Sequence, residues 1–159
     1  MNIRIVSVGK IKEKYLKSAI NEYLKRLSAY CRLEIIEVKD EKVPEKSSDA
    51  QRMKALEIEG KRILPYLRDE DILVTLEIQG NQMDSLSFAK QIDNYGIQGK
   101  SQFTFVIGGS IGLSSEITSC SNWKLSFSKM TFPHQLFRVL LLEQLYRAFK
   151  INRGETYHK

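Results

Sequence analysis

Residues 103–113 read FTFVIGGSIGL, an apolar run that leads into three closely spaced glycines. A short apolar run bounded by glycine is typical of a strand at the centre of a parallel sheet. Glycine lets a ligand approach the backbone closely, and open α/β sheets bind ligands beyond the carboxyl ends of their strands. The stretch therefore predicts a central strand at 103–107 followed by a ligand-binding loop. The alternative is that residues 108–112 form only a tight turn between a strand and a helix.

Strand-like and helix-like segments alternate on both sides of this stretch. Apolar or alternating runs predict four further strands at residues 3–8, 33–38, 72–78 and 123–127. Apolar residues at helical spacing predict helices at 13–30, 48–64, 86–95 and 133–151. Ser48 and Gln51 match a capping box, Ser85 is expected to cap the third helix, and Ser114 or Ser115 a short one. This order predicts an α/β fold, a mostly parallel sheet flanked by helices in a single domain of residues 1–159.

The composition excludes several classes of protein. The chain has 159 residues, of which 42% are apolar and 28% are charged, which argues against a disordered chain and a membrane protein. Cys31 and Cys120 lie far apart with no histidine nearby, which argues against a zinc ribbon or a disulfide scaffold. Residues 3–8 are too short for the core of a signal peptide. We therefore expect a cytoplasmic protein.

The net charge of +6 is concentrated at the two ends of the chain. Residues 1–32 hold eight basic and two acidic side chains, and residues 124–159 hold seven and two. The middle, residues 33–123, holds ten basic and fifteen acidic side chains. One interpretation is that the two basic ends meet in space and form a nucleic-acid footprint. The other is a set of solvated lysines on surface helices.

Two more strand ends are suited to binding a ligand. Residues 76–80 read LEIQG, and residues 127–134 read FSKMTFPH, a mixture of hydroxyl, apolar and proline residues. Neither a dinucleotide fingerprint nor a P-loop is present, and no serine elbow or cysteine–base pair suggests a nucleophile. His134 has no metal-binding partner at ligand spacing. The pattern favours a heterocycle held between apolar side chains by backbone groups.

Several stretches together resemble one known family. They are residues 5–10 (IVSVGK), 76–80, 105–112 (FVIGGSIG), 125–135 (LSFSKMTFPHQ) and the tail from Glu143 to Lys159. Over its whole length the chain resembles the RlmH family, SPOUT-class methyltransferases of large-subunit ribosomal RNA. The resemblance implies a SPOUT fold with a C-terminal deep trefoil knot. It also implies methyl transfer from S-adenosylmethionine to N3 of a pseudouridine in a 23S rRNA stem-loop, by a homodimer acting on the large subunit or the assembled ribosome.

The resemblance also assigns residues to the cofactor by position. In this numbering the expected cofactor-binding residues are Leu76, Gly108, Phe127, Ser128, Lys129, Met130, Thr131 and Phe132. They lie in the three strand-end stretches that the residue pattern itself selects.

The chemistry directs attention to the histidines. Pseudouridine N3 carries a proton at neutral pH, so a nearby base is expected, and histidine suits that role. The chain has two, of which His134 is interpreted as structural or capping. The resemblance makes the tail an active-site element that reaches the partner subunit's cofactor. Tyr157 and His158 are therefore predicted to be catalytic residues. Arg153 and Lys159 are predicted to contact RNA phosphates. Alternatively, Tyr157 only stacks on a base.

The last helix is apolar over much of its circumference. Leu140, Leu141 and Leu145 are predicted to include subunit contacts, the alternative being a helix buried wholly within one subunit. Two other functions stay open at this point. One is a non-enzymatic RNA- or ribosome-binding module, and the other is a nucleotide-binding oxidoreductase or hydrolase that uses the glycine loop.

Overall fold

The computed structural model describes residues 1–157 and contains one parallel sheet. Its five strands are paired in the order β2-β1-β4-β3-β5. They are β1 (Asn2–Val8), β2 (Arg32–Val38), β3 (Ile72–Gln82), β4 (Gln102–Ile107) and β5 (Trp123–Ser126). The fourth strand is the centre of the sheet, as its apolar sequence predicts, and Phe103 and Phe105 on it are almost fully buried.

Five helices cover the two faces of the sheet. They are α1 (Lys14–Leu27), α2 (Asp49–Ile63), α3 (Ser85–Ile97), α4 (Ser115–Ser119) and α5 (His134–Asn152), with a 3-10 turn at Leu64–Tyr66. The larger part of the core packs α1, α3 and α5 on one face. A smaller cluster beneath α2 and α4 includes Val6, Ile63 and Ile117. The predicted α/β architecture is therefore confirmed.

Local capping signals fix two of these helix starts. Ser48 accepts the backbone N–H of Gln51, and the Gln51 side chain accepts the backbone N–H of Ser48, so the predicted capping box is present. Of the two candidates for the short helix, Ser114 is the cap, since its hydroxyl accepts the N–H of Ile117.

The start of α3 differs from the expectation. Asp84, and not Ser85, is the N-cap: its carboxylate accepts the N–H of Ser87 at 2.7 Å. Ser85 is the first helical residue, and its hydroxyl donates to Gln144 in α5 at 2.7 Å. A charged acceptor next to a helix N-terminus also gains from the helix dipole, which explains why the aspartate takes this position.

The third strand is longer than predicted. It continues to Gln82, and its pairing with β5 shifts register between Leu76 and Asn81. A Cβ at Gly80 would lie 2.7 Å from the backbone carbon of Leu125. This glycine therefore allows close backbone contact with β5, where the sequence suggested the end of a strand.

The predicted subunit contacts on α5 need a correction. Leu141 and Leu145 are fully buried inside the chain itself, in the core against the sheet. They cannot belong to an exposed contact surface. Leu140 is only half-buried and remains available.

Candidate active site

A cavity of about 700 Å³ opens at the carboxyl ends of β4 and β5 and beside residues 76–79 of β3, where the pairing of β3 with β4 ends. Its walls are residues 76–79, 107–113, 126–128 and 130–134, together with Thr118 and Phe137. The structure thus brings together the three strand ends that the sequence singles out. Parallel strands place their carboxyl ends at the same edge of a sheet, which explains why segments far apart in sequence share one cavity.

Seven of the eight predicted cofactor-binding residues line this cavity. They are Leu76, Gly108, Phe127, Ser128, Met130, Thr131 and Phe132. The eighth, Lys129, is exposed and lies outside the lining set.

The glycine loop owes its shape to two of its glycines. A Cβ on Gly108 would lie 2.3 Å from the carbonyl oxygen of Gly112, which no real side chain tolerates. Gly112 has a φ of 91° and donates its N–H to the carbonyl of Gly109 at 3.2 Å. Residues 108–112 therefore form a tight turn, and the same turn is a wall of the cavity.

The third loop supplies an apolar surface and fixed polar groups. The Phe127 and Phe137 rings lie 4.9 Å apart, and Phe132 lies 6.3 Å from Phe137. The Ser128 hydroxyl accepts the N–H of Met130 at 3.0 Å, which holds the turn in place. Met130 is 74% exposed at the rim. Such a wall can pack a planar heterocycle against aromatic rings.

Two titratable side chains line the cavity, Glu77 and His134. Burial, and then the nearby Arg138 charge, lower the pKa of His134, so this imidazole is neutral at neutral pH. Its Nε2 lies 3.4 Å from the Cβ position of Gly9. His134 thus opens α5 and packs against the end of β1, which agrees with its interpretation as a structural residue.

Comparison with known proteins identifies the family. The chain matches the family described as Predicted SPOUT methyltransferase over residues 1–158. A ribosomal RNA large subunit methyltransferase H of Clostridium kluyveri is 57% identical over 159 residues, which are 100% of both chains. The chain belongs to the SPOUT methyltransferase family. A second member, from Clostridium perfringens, is 56% identical and also covers 100% of both chains.

A solved structure supports the SPOUT fold. A tRNA (m1G37) methyltransferase from Aquifex aeolicus superposes with a TM-score of 0.52 over 92% of this chain and 70% of its own. Only 9% of the residues are identical, so this likeness concerns the fold alone. Within residues 1–157, no helix is long and apolar enough to cross a membrane.

Two of the four site residues predicted in the tail, His158 and Lys159, lie outside the described residues. Tyr157 packs on α5: its ring is 5.0 Å from that of Tyr146, and its hydroxyl lies 3.4 Å from the carboxylate of Glu143. The Arg153 guanidinium lies 4.4 Å from the centre of the Tyr30 ring and is exposed. The structure therefore joins the tail to α1 and α5.

The two basic ends of the chain meet in space. Tyr30, in the turn that follows α1, donates to Glu155 at 2.8 Å, and Arg26 lies over the rings of both Tyr23 and Tyr146. Burial, followed by the nearby Glu143 charge, raises the pKa of Tyr23 to about 12. The expected proximity of the ends is confirmed, while their role as a nucleic-acid footprint stays a prediction.

Sequence reasoning missed Arg138, whose side chain is only 1% exposed. Its Nη1 donates to Glu37 Oε1 at 2.6 Å, and its Nη2 donates to the carbonyls of Val8 and Gly9 at 3.1 and 2.5 Å. Burial lowers the pKa of this guanidinium, and the bond to Glu37 opposes that shift. The sequence feature that could have indicated a buried arginine is its position within the apolar stretch 136–142 of the last helix.

Glu59 was also missed. It is 3% exposed, its Oε1 accepts the N–H of Glu41 at 2.9 Å, and its Oε2 has no partner in the part of the chain described. Both oxygens lie 3.6 Å from the Cβ position of Gly109 in the cavity wall. Burial raises the pKa of this carboxyl. No local sequence pattern distinguishes it from Glu57, the exposed glutamate of the same helix.

Proposed function

We propose that this protein transfers the methyl group of S-adenosylmethionine to N3 of a pseudouridine in a stem-loop of 23S rRNA. The observation that carries the proposal is the convergence of the three loops on one cavity in a member of this methyltransferase family. The relatives are named for methylation of large-subunit ribosomal RNA, which supports the class of substrate. We propose that the whole chain, residues 1–159, works as a single domain with a C-terminal trefoil knot, in the cytoplasm.

The cavity fits the cofactor in size and chemistry. Its volume falls within the range of about 300–1,000 Å³ that is usual for small-molecule sites. Phe127, Phe132 and Phe137 offer apolar surface for a purine, and the backbone of residues 108–112 and 127–132 offers donors and acceptors. When bound, S-adenosylmethionine supplies a methyl group that its sulfonium has already activated. What remains for the protein is alignment of the two substrates and exclusion of water.

The N3 proton must leave before N3 can attack. We propose that His158 accepts this proton and that Tyr157 positions the target pseudouridine. In its own subunit, Tyr157 lies against Glu143, which follows His134 by nine residues of helix, or about 14 Å of rise. That separation from the chain's own cavity supports action of the tail at the cavity of a partner subunit.

The basic ends supply a surface for the RNA backbone. Arg153 is exposed beside Tyr30, and Arg26 lies on the same side of α1 and α5. We propose that Arg153 and Lys159 contact phosphates of the stem-loop. We propose that a homodimer uses the half-buried face of α5 around Leu140 and brings this surface next to the partner's cavity.

The first experiment measures the product. Mass spectrometry of 23S rRNA from a strain lacking the protein is expected to show the loss of one methyl group at a pseudouridine. Purified protein with S-adenosylmethionine should restore it on ribosomes from that strain. Ribosome binding without methyl transfer would instead support the binding-module alternative.

A second experiment tests the tail in the partner subunit. His158→Gln and Tyr157→Phe are expected to reduce turnover while leaving the affinity for S-adenosylmethionine, measured by calorimetry, unchanged. Tyr15→Phe is the matched control, because Tyr15 is 69% exposed on α1. A mixture of His158→Gln subunits, which turn over slowly, with Gly108→Val subunits, which do not bind the cofactor, should be more active than either variant alone because mixed dimers form. A mixture as inactive as its components would contradict a shared site.

A further inference from the structure

Among the side chains of residues 1–157 that line the cavity, Glu77 is the only aspartate, glutamate, lysine or arginine. The other lining groups are apolar, hydroxyl, amide or backbone groups, apart from His134, which is neutral for the reasons given above. Glu77 thus contributes a negative charge to the cavity wall. An otherwise uncharged, partly apolar wall screens that charge less than water does.

The carboxylate is held in a fixed position. Thr75, which is fully buried on β3, places its Oγ1 2.6 Å from Glu77 Oε1 and 2.8 Å from Ser121 Oγ. A carboxylate only accepts hydrogen bonds, so the threonine donates to it. Glu77 Oε2 has no hydrogen-bond partner in the chain up to Tyr157. One oxygen is therefore anchored to the strand while the other is left for a ligand.

We propose that Glu77 makes the cavity discriminate between the sulfonium cofactor and its demethylated product. The inference rests on the proposed function. S-adenosylmethionine carries one more positive charge than S-adenosylhomocysteine, since loss of the methyl group converts the sulfonium to a neutral thioether. A carboxylate in the cavity attracts the first more strongly than the second. Glu77 thereby favours binding of the methyl donor and release of the spent product.

The size of the effect follows from Coulomb's law. For a carboxylate and a sulfonium taken to be about 6 Å apart, at an effective dielectric constant between about 20 and 80, Coulomb's law gives a change in the binding constant of roughly threefold to hundredfold. Glu77 is half-buried and the cavity is open on one side. We therefore expect a contribution of about tenfold to the ratio of the two dissociation constants.

The test compares the two ligands on the same variants. Calorimetry gives the dissociation constants of S-adenosylhomocysteine and S-adenosylmethionine, and their ratio is the readout. Glu77→Gln removes the charge but keeps an acceptor for Thr75, and it is expected to lower this ratio about tenfold. Glu77→Asp, which keeps the charge, should retain most of the preference. Glu57→Gln is the matched control, an exposed glutamate on α2.

A pair of Thr75 variants separates charge from position. Thr75→Val removes the hydroxyl that anchors Glu77 and is expected to lower the ratio, whereas Thr75→Ser retains the hydroxyl and should preserve it. Loss of affinity for both ligands by the same factor in Glu77→Gln would overturn the inference and leave the proposed function intact. A wild-type protein that binds neither ligand would overturn both.

Discussion

Replacing Arg138 by methionine should destabilise the fold far more than replacing an exposed arginine. The side chain joins α5 to the carboxyl ends of β1 and β2 through Glu37 and the carbonyls of Val8 and Gly9. Methionine fills most of the same volume and cannot donate to any of them. The substitution therefore removes three charge-assisted hydrogen bonds from a site where almost no water enters.

The expected loss is about 3 kcal/mol. Hydrogen bonds to charged groups contribute about 1.5–3 kcal/mol each, but burying the guanidinium costs several kcal/mol. Breaking a buried ion pair usually costs about 3–5 kcal/mol. The lower end applies because Glu37 is 32% exposed and keeps the N–H of Ile11 as a donor. For a chain of this length the melting temperature should fall by about 6–12 °C.

Urea unfolding followed by the fluorescence of Trp123 measures this loss, since that side chain is the single tryptophan and is buried. All variants are compared at one protein concentration, because dimerisation would add to the apparent stability. Arg26→Met is the matched control: Arg26 pairs with Glu22 at 2.8 Å, but the two side chains are 41% and 53% exposed. That exposed pair should contribute less than about 0.5 kcal/mol.

A double-mutant cycle with Glu37→Gln isolates the ion pair from the two carbonyl contacts. We expect a coupling energy of about 1–2 kcal/mol, since only one of the three bonds goes to Glu37. The reasoning is refuted if Arg138→Met costs no more than Arg26→Met. Such a result would mean that desolvation of the guanidinium cancels its hydrogen bonds.

Three other changes give clear expectations. Burial raises the pKa of Glu59, so the charged form of this carboxyl opposes folding. Glu59→Gln should therefore stabilise the protein by about 1 kcal/mol near pH 7 and by less near pH 4. Urea unfolding at the two pH values measures the difference. Burial lowers the pKa of His134, so the unfolded chain binds a proton at a higher pH than the folded chain does. Stability should therefore fall as the pH drops below about 6.5, and His134→Gln should flatten that dependence. Gly108→Ala drives a Cβ to 2.3 Å from Gly112 O and should abolish ligand binding by calorimetry, whereas Gly96→Ala, in a roomy helical position, should not.

The sequence by itself determined the features that depend on neighbouring residues. The apolar run before Gly108 marked the central strand, and Ser48 with Gln51 marked a helix start, because periodicity and capping act over a few residues. The three ligand-binding segments were also recognisable, since the loops that follow parallel strands lie at the same edge of the sheet. Seven of the eight residues assigned by family resemblance then fell in the cavity lining.

The tertiary structure alone decided which distant groups meet. It buried Leu141 and Leu145 within the chain, where the helical pattern could not tell one apolar face from another. It paired Arg138 with a glutamate 101 positions away and placed Glu77, alone among the carboxylates of residues 1–157, in the cavity lining. Such contacts depend on strand order and on the packing of helices across the sheet. No local pattern carries that information, because pairing distant segments is a property of the whole fold.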